Sequence, residues 1–143
     1  MLVSRILKDK GDLVFTVTPN ETIAGAAALL HSRCVGSMVV VDEGGSVVGI
    51  LSERDLVRAV AEMGADSMSR LVVDWMNRDV VFATPAETVH ALLARVTDRR
   101  TRHLPVLKDG RLVGIVSIGD LVKSKIAETE AEAEGLKAYI SAA

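Results

Sequence analysis

The sequence predicts a mixed α/β (α+β) fold built by duplication, and three observations carry that reading. Val48-Gly49-Ile50-Leu51-Ser52-Glu53-Arg54-Asp55-Leu56 returns as Val113-Gly114-Ile115-Val116-Ser117-Ile118-Gly119-Asp120-Leu121. The register extends outward: Gly45-Ser46-Val47 matches Gly110-Arg111-Leu112, and Thr18-Pro19-Asn20-Glu21-Thr22-Ile23 matches Thr84-Pro85-Ala86-Glu87-Thr88-Val89, with one residue lost in between. Within each copy the apolar spacing reads strand, helix, strand, strand, helix. A repeat unit buries its apolar face against its copy, so the copies belong to one module.

Leu2, Val3, Ile6 and Leu7 recur at helical spacing and Gly11 offers a stop, which predicts a short lead-in helix. Leu13 to Val17, rich in β-branched and aromatic residues, reads as a strand ended by Thr18-Pro19. Thr18-Pro19-Asn20-Glu21 and its copy Thr84-Pro85-Ala86-Glu87 read as capping boxes. Ile23, Ala26, Ala27, Leu30 and Cys34 form the apolar face of the helix that follows, matched by Val89, Leu92, Leu93 and Val96. Cys34, the only cysteine, excludes an internal disulfide and is expected to be a small buried hydrophobe, with a redox thiol as the alternative.

Ser37 to Val41 and Val47 to Leu51 form a hairpin around the glycines of Asp42 to Ser46; His103 to Leu107 and Leu112 to Val116 form a tighter one around Lys108-Asp109-Gly110. Helices follow at Glu53 to Met63 and from Ile118 to about Ala127. Glu62 to Arg70 reads as a linker and Leu71 to Met76 as a short helix carrying Trp75, expected to anchor the halves to each other. The boundaries are therefore 1–64 for the first repeat with its lead-in, 65–126 for the second, and 127–143 for an acidic amphipathic helix whose Leu136, Tyr139 and Ile140 would dock on the module or on a partner subunit.

Bulk composition narrows the function. The chain has 143 residues, 49% of them apolar, enough for one compact core. No apolar run approaches the ~18 residues of a membrane span, and Met1 to Leu7 runs into Lys8-Asp9-Lys10 without the apolar centre of a signal peptide. A soluble, cytoplasmic protein is expected. A net charge of -2 and an aromatic content of 3% argue against nucleic acid, even though Arg99-Arg100-Thr101-Arg102-His103 is basic. His31-x-x-Cys34 is too few ligands for a metal, and His90 is expected to be exposed and inert. No constellation for catalysis is present, and no metal site or catalytic cofactor is expected.

Ser52-x-x-Asp55 and Ser117-x-x-Asp120 each stand where a strand meets a helix. Taken alone, Ser-x-x-Asp is an N-cap pattern, with the acidic residue at the positive end of the helix dipole. The same place also suits a nucleotide: the free N–H groups and a serine hydroxyl can hold phosphate, and an aspartate can accept from two ribose hydroxyls. Arg102-His103-Leu104-Pro105-Val106 brings two potential cations to the strand beside the second motif and favours the binding reading.

These paired motifs, the Arg-His-Leu-Pro-Val strand and the duplicated element order resemble tandem CBS domains, or Bateman modules, over residues 1–126, most closely the stand-alone CBS pairs. The resemblance implies two CBS repeats of β-α-β-β-α related by pseudo-twofold symmetry, with clefts for adenosine derivatives. It points to Asp120 for ribose, Ser117, Arg102 and His103 for phosphate, and Val80, Val81, Leu104 and Pro105 around the base. In the first copy it points to Asp55 and Ser52, with Ser37, Met38 and Val39 near the base; Ser37-Met38-Val39-Val40 stands in for Arg102-His103-Leu104-Pro105, and Arg54 could supply the missing charge. Two unequal sites are expected. The implied function is regulatory signal transduction without catalysis, the ligand being AMP first and ADP, ATP or NAD as contenders. A homodimer is expected, and an unidentified regulated protein is a further partner; an interaction module that needs no ligand is the alternative.

Overall fold

The computed structural model describes residues 1–99 and 101–142. Its elements are α1 (Val3–Lys10), β1 (Thr16–Val17), α2 (Ile23–Arg33), β2 (Ser37–Val41), β3 (Val47–Ser52), α3 (Glu53–Met63), a 3₁₀ turn (Gly64–Ser69), α4 (Val72–Trp75), α5 (Val89–Arg99), β4 (His103–Lys108), β5 (Arg111–Ser117) and α6 (Ile118–Ala142). The mixed α+β class and the duplicated hairpin-helix order agree with the sequence reading. Packing groups the chain differently from the repeat boundaries: Leu13–Val80 forms one compact unit, and Met1–Asp12 with everything from Val81 forms the other. They are called here the Asp55 unit and the Asp120 unit.

In the Asp55 unit β1 pairs parallel with β2, and β2 pairs antiparallel with β3. Val17, Ala26, Leu30, Met38, Val40, Leu51, Val72 and Met76 form its main core. In the Asp120 unit β4 pairs antiparallel with β5, over a core that includes Val3, Leu92, Leu104, Val116 and Leu121. Each fully buried aliphatic side chain of this size contributes roughly 1.5–3 kcal/mol. Both hairpins carry a register shift at equivalent places, Val40/Val41 and Val106/Leu107. The second closes through Asp109 (φ 52°) and Gly110 (φ 77°), the pair of left-handed residues that a tight hairpin turn requires.

The predicted leading strands are shorter than the apolar run suggests. In the Asp55 unit Val39 N–H donates to Phe15 O at 3.3 Å. Pro105 occupies the equivalent place in the Asp120 unit and has no N–H, so the strand there shrinks to a bridge of Ala83 with Val106, made by Ala83 N–H to Pro105 O and Leu107 N–H to Ala83 O.

The helix starts also differ from the capping-box reading. Thr18-Pro19-Asn20-Glu21 and Thr84-Pro85-Ala86-Glu87 are β-turns, with Glu21 N–H on Thr18 O and Glu87 N–H on Thr84 O, both 3.2 Å, and proline at the position that suits its fixed φ. The caps are the next threonines: Thr22 Oγ1 accepts from Gly25 N–H, and Thr88 Oγ1 from Ala91 N–H, both at 3.1 Å. Each such cap contributes about 1 kcal/mol.

Four other expectations are corrected. Cys34 is exposed, because α2 ends one residue earlier and Cys34 turns out in the left-handed conformation (φ 54°). Residues 64–69 are an ordered turn, with Ser67 fully buried and its hydroxyl on Gly64 O at 2.6 Å, rather than an open linker. Trp75 packs with Ile23 and Ala59 inside the Asp55 unit. The acidic tail continues α6 without a break, and its Leu136, Tyr139 and Ile140 are 61%, 75% and 65% exposed, so of the two surfaces expected for them only docking on the module is overturned, among the described residues.

The lead-in segments are themselves copies: Leu2-Val3-Ser4-Arg5-Ile6-Leu7 corresponds to Leu71-Val72-Val73-Asp74-Trp75-Met76. Each packs on a glycine of its unit's second hairpin strand. A Cβ at position 114 would lie 2.5 Å from Leu7 Cδ2, and one at position 49 would lie 2.6 Å from Met76 Sδ and 2.9 Å from Asn77 O. At position 49 the backbone oxygen cannot give way, so only glycine admits the approach there.

Candidate functional site

Each motif sits where a hairpin strand delivers a helix. Glu53 N–H bonds to Gly36 O at 3.0 Å and Ile118 N–H to Arg102 O at 2.8 Å, tying the first residue of α3 and α6 to the strand alongside. Within the strands Ser37 faces Ser52 and His103 faces Ser117. This register corrects the sequence alignment by one residue: Gly36 stands for Arg102 and Ser37 for His103, because the residue lost between the copies comes out of the second hairpin's turn.

The capping role of the motif is present in both units. Ser52 N–H donates to Asp55 Oδ2 at 2.8 Å, and Ser52 Oγ lies 3.1 Å from the same oxygen. Ser117 N–H donates to Asp120 Oδ2 at 2.8 Å, while Asp120 N–H donates to Ser117 Oγ at 3.1 Å. Both aspartates and both serines are half-buried.

The units differ in the cations around these carboxylates. Lys10 Nζ lies 2.7 Å from Asp120 Oδ2 and 3.0 Å from Ile115 O. Asp120 Oδ1 has no hydrogen-bond partner among the described residues. Asp55 instead has Arg58, one helical turn on, 3.5 Å from its Oδ1; the same guanidinium donates to Trp75 O at 2.9 Å and lies 5.0 Å from the Trp75 ring centroid. Sequence reading missed both cations. Arg58 was detectable from its spacing to Asp55, whereas Lys10 lies far away along the chain.

Burial raises the Asp120 pKa, but the Lys10 hydrogen bond, the Ser117 N–H and the Lys10 charge outweigh it and hold the carboxyl below the usual aspartate range. His103 is pushed down by burial and by the charges of Lys10 and Arg102, against an upward pull from Asp120. The imidazole is therefore neutral at pH 7, a hydrogen-bonding group rather than the second cation the sequence suggested. Arg102 and Arg54 are exposed, and Arg100 lies outside the described residues.

Of the residues expected near a base, Met38, Val39 and Leu104 are fully buried core side chains. Pro105, Val81 and Ser37 are buried and Val80 is half-buried. His31 and His90 are exposed, no metal-ligand cluster occurs among the described residues, and none of their helices is long and apolar enough to cross a membrane.

The CBS domain model matches residues 11–62 and 72–126, both copies of the hairpin-helix element. The chain belongs to the CBS domain family. As a CBS pair it is similar to the CBS-domain containing protein ATU1752 from Agrobacterium tumefaciens, with 44% identity, a TM-score of 0.83 and coverage of 87% of this chain and 99% of that one. It is 34% identical to the mitochondrial CBS domain-containing protein CBSX3 of Arabidopsis thaliana, over 96% of this chain and 71% of that protein. The CBS domain pair of protein MJ0100, solved in complex with 5′-methylthioadenosine and S-adenosyl-L-methionine, is 27% identical with a TM-score of 0.78, over 90% of this chain and 98% of that one.

Proposed function

We propose that this CBS pair is a non-enzymatic regulatory module that binds an adenine nucleotide, AMP before ADP, ATP or NAD, at the Asp120 cluster. The observation that carries this reading is the open Oδ1 of a carboxylate fixed by Ser117 and Lys10, beside Arg102 and the first turn of α6. A carboxylate with an oxygen that has no partner among the described residues can accept ribose hydroxyls, and cations beside the positive end of a helix suit phosphate. The adenosine ligands of the MJ0100 pair support the ligand class. Ligand that favours one conformation of the module shifts its population and thereby the surface offered to a regulated protein.

The Asp55 cluster is the weaker or differently selective site, since Arg58 already shares its carboxylate and Gly36 replaces Arg102. A homodimer is part of the proposal: Ile118, Val122 and Ile126 form an exposed apolar row along α6, at 37%, 44% and 53% exposure, and Val57 and Val60 form one on α3. The exposed Leu136, Tyr139 and Ile140 favour the second reading, an interaction module that needs no ligand.

A thermal-shift panel of AMP, ADP, ATP and NAD tests the proposal. A ligand at a hundred times its Kd adds ~2.7 kcal/mol, a rise of roughly 5–10 °C in Tm for a chain of this size. A shift with AMP that Asp120→Asn removes is the expected result. No shift with any of the four leaves the ligand-free reading in front.

A further inference from the structure

Lys10 reaches the Asp120 cluster from the lead-in helix rather than from the hairpin-helix element. It is the last residue of α1, one position before the first segment that the CBS model matches. Its place is fixed by backbone and packing. Leu7, one turn earlier, rests against Gly114, and Gly11, at φ 95°, ends the helix immediately after Lys10. The ammonium thus reaches both Asp120 Oδ2 and Ile115 O. An ammonium has three donors, and these two contacts leave one unused.

The Asp55 unit has no such group. There the copy of the lead-in segment ends in Met76-Asn77, and Asn77 pairs with Ile50 through backbone alone, N–H to O at 2.9 Å and O to N–H at 3.0 Å. Ile50 and Ile115 are equivalent positions, so the carbonyl that receives a peptide N–H in one unit receives an ammonium in the other. With His103 neutral, Lys10 and Arg102 against Asp120 leave the cluster one net positive charge. Without Lys10 it would be neutral, and an incoming phosphate would meet no net positive charge.

We propose that Lys10 sets the ligand selectivity of the Asp120 cluster, making it prefer adenosine compounds that carry a 5′-phosphate over uncharged ones such as adenosine and 5′-methylthioadenosine. The inference rests on the nucleotide reading above and adds to it a phosphate-selecting residue. A phosphate monoester carries about 1.5–2 negative charges at pH 7, so the ammonium acts on it strongly, whereas a neutral ligand meets only the Asp120 oxygen that Lys10 leaves open. The preference should weaken as salt is added, because the cluster is half-exposed.

Isothermal titration of the full chain with AMP, adenosine and 5′-methylthioadenosine, for wild type, Lys10→Met and Lys10→Arg, tests this. A charge-assisted hydrogen bond corresponds to a ~10- to 100-fold loss. Lys10→Met is expected to weaken AMP by that factor and to change the two uncharged compounds by less than about threefold, with Lys10→Arg keeping most of the AMP preference. Equal weakening of all three compounds would mean that Lys10 only holds Asp120 in place, and an unchanged AMP preference would mean that it selects nothing; either overturns the proposal. Should Lys10→Met not fold, Lys10→Gln removes the charge while keeping a donor for Ile115 O, and the same comparison decides. Failure of wild type to bind any of the three would instead overturn the underlying nucleotide reading.

Discussion

Asp55 and Asp120 occupy one position in two copies of the same element, and each accepts the N–H of the serine three residues before it at 2.8 Å. Around that shared core the copies diverge. Asp120 has a lysine on the oxygen already used for capping, and its other oxygen has no partner among the described residues. Asp55 has an arginine on the oxygen that would otherwise be open, and that arginine is committed to Trp75 as well. The two copies thus share the backbone geometry of the motif and differ in the side chains delivered to it, which is why the proposed nucleotide site is placed at Asp120 and the weaker or differently selective one at Asp55.

The largest effect is expected at Trp75. If the Asp55 unit invests its cation in packing, Trp75→Ala should cost about 3–5 kcal/mol, as large-to-small changes at buried aromatics do. Urea denaturation would read this, and a cost below about 1 kcal/mol would mean that the Arg58–Trp75 contact is incidental.

The two glycines that receive the lead-in segments should differ by less. Gly49→Ala drives a methyl against the backbone oxygen of Asn77, which cannot move aside, whereas Gly114→Ala meets only the end of the Leu7 side chain. Overpacking costs about 1–3 kcal/mol, and Gly49→Ala should lie at the upper end with Gly114→Ala at or below the lower. Equal losses in a denaturant midpoint comparison would contradict this account of the lead-in segments.

The smallest effect concerns acid. The Arg95 hydrogen bond holds Glu87 below the ordinary glutamate range, against burial, with help from Thr84 N–H and the Arg95 charge; Asp120 is held low as well. Depressed carboxyl pKa values contribute stability that is present above the unfolded-state values and is lost as pH falls through the folded ones. Glu87→Gln should therefore cost up to about 1 kcal/mol near neutral pH, typical of a half-exposed pair. It should also flatten the fall of Tm on acidification below the ordinary carboxylate range. An unchanged acid limb would show that the pair contributes nothing.

The duplicated hairpins, the helix faces and the strand-to-helix motifs were legible because apolar periodicity and a repeat both lie along the chain. What was not legible depends on contacts across it. Lys10 meets Asp120 only because Leu7 docks on Gly114, and nothing near either residue announces that. The true pairing of Ser37 with His103 was hidden because the missing residue falls in a turn, where length is free to vary. The capping boxes at Thr18 and Thr84 were misplaced by one turn because Thr-Pro-x-Glu suits a β-turn as well as a helix start, and a second threonine follows each. Cys34 looked like a face residue by spacing, yet one left-handed residue at a helix end turns it to solvent.

The most direct test of the central claim is a calorimetric titration of AMP into wild type, Asp120→Asn and Asp55→Asn. The unequal clusters predict a ~10- to 100-fold loss for Asp120→Asn and less than about a threefold loss for Asp55→Asn. Equal losses, or a larger loss at Asp55, would contradict the assignment of the nucleotide to the Asp120 cluster.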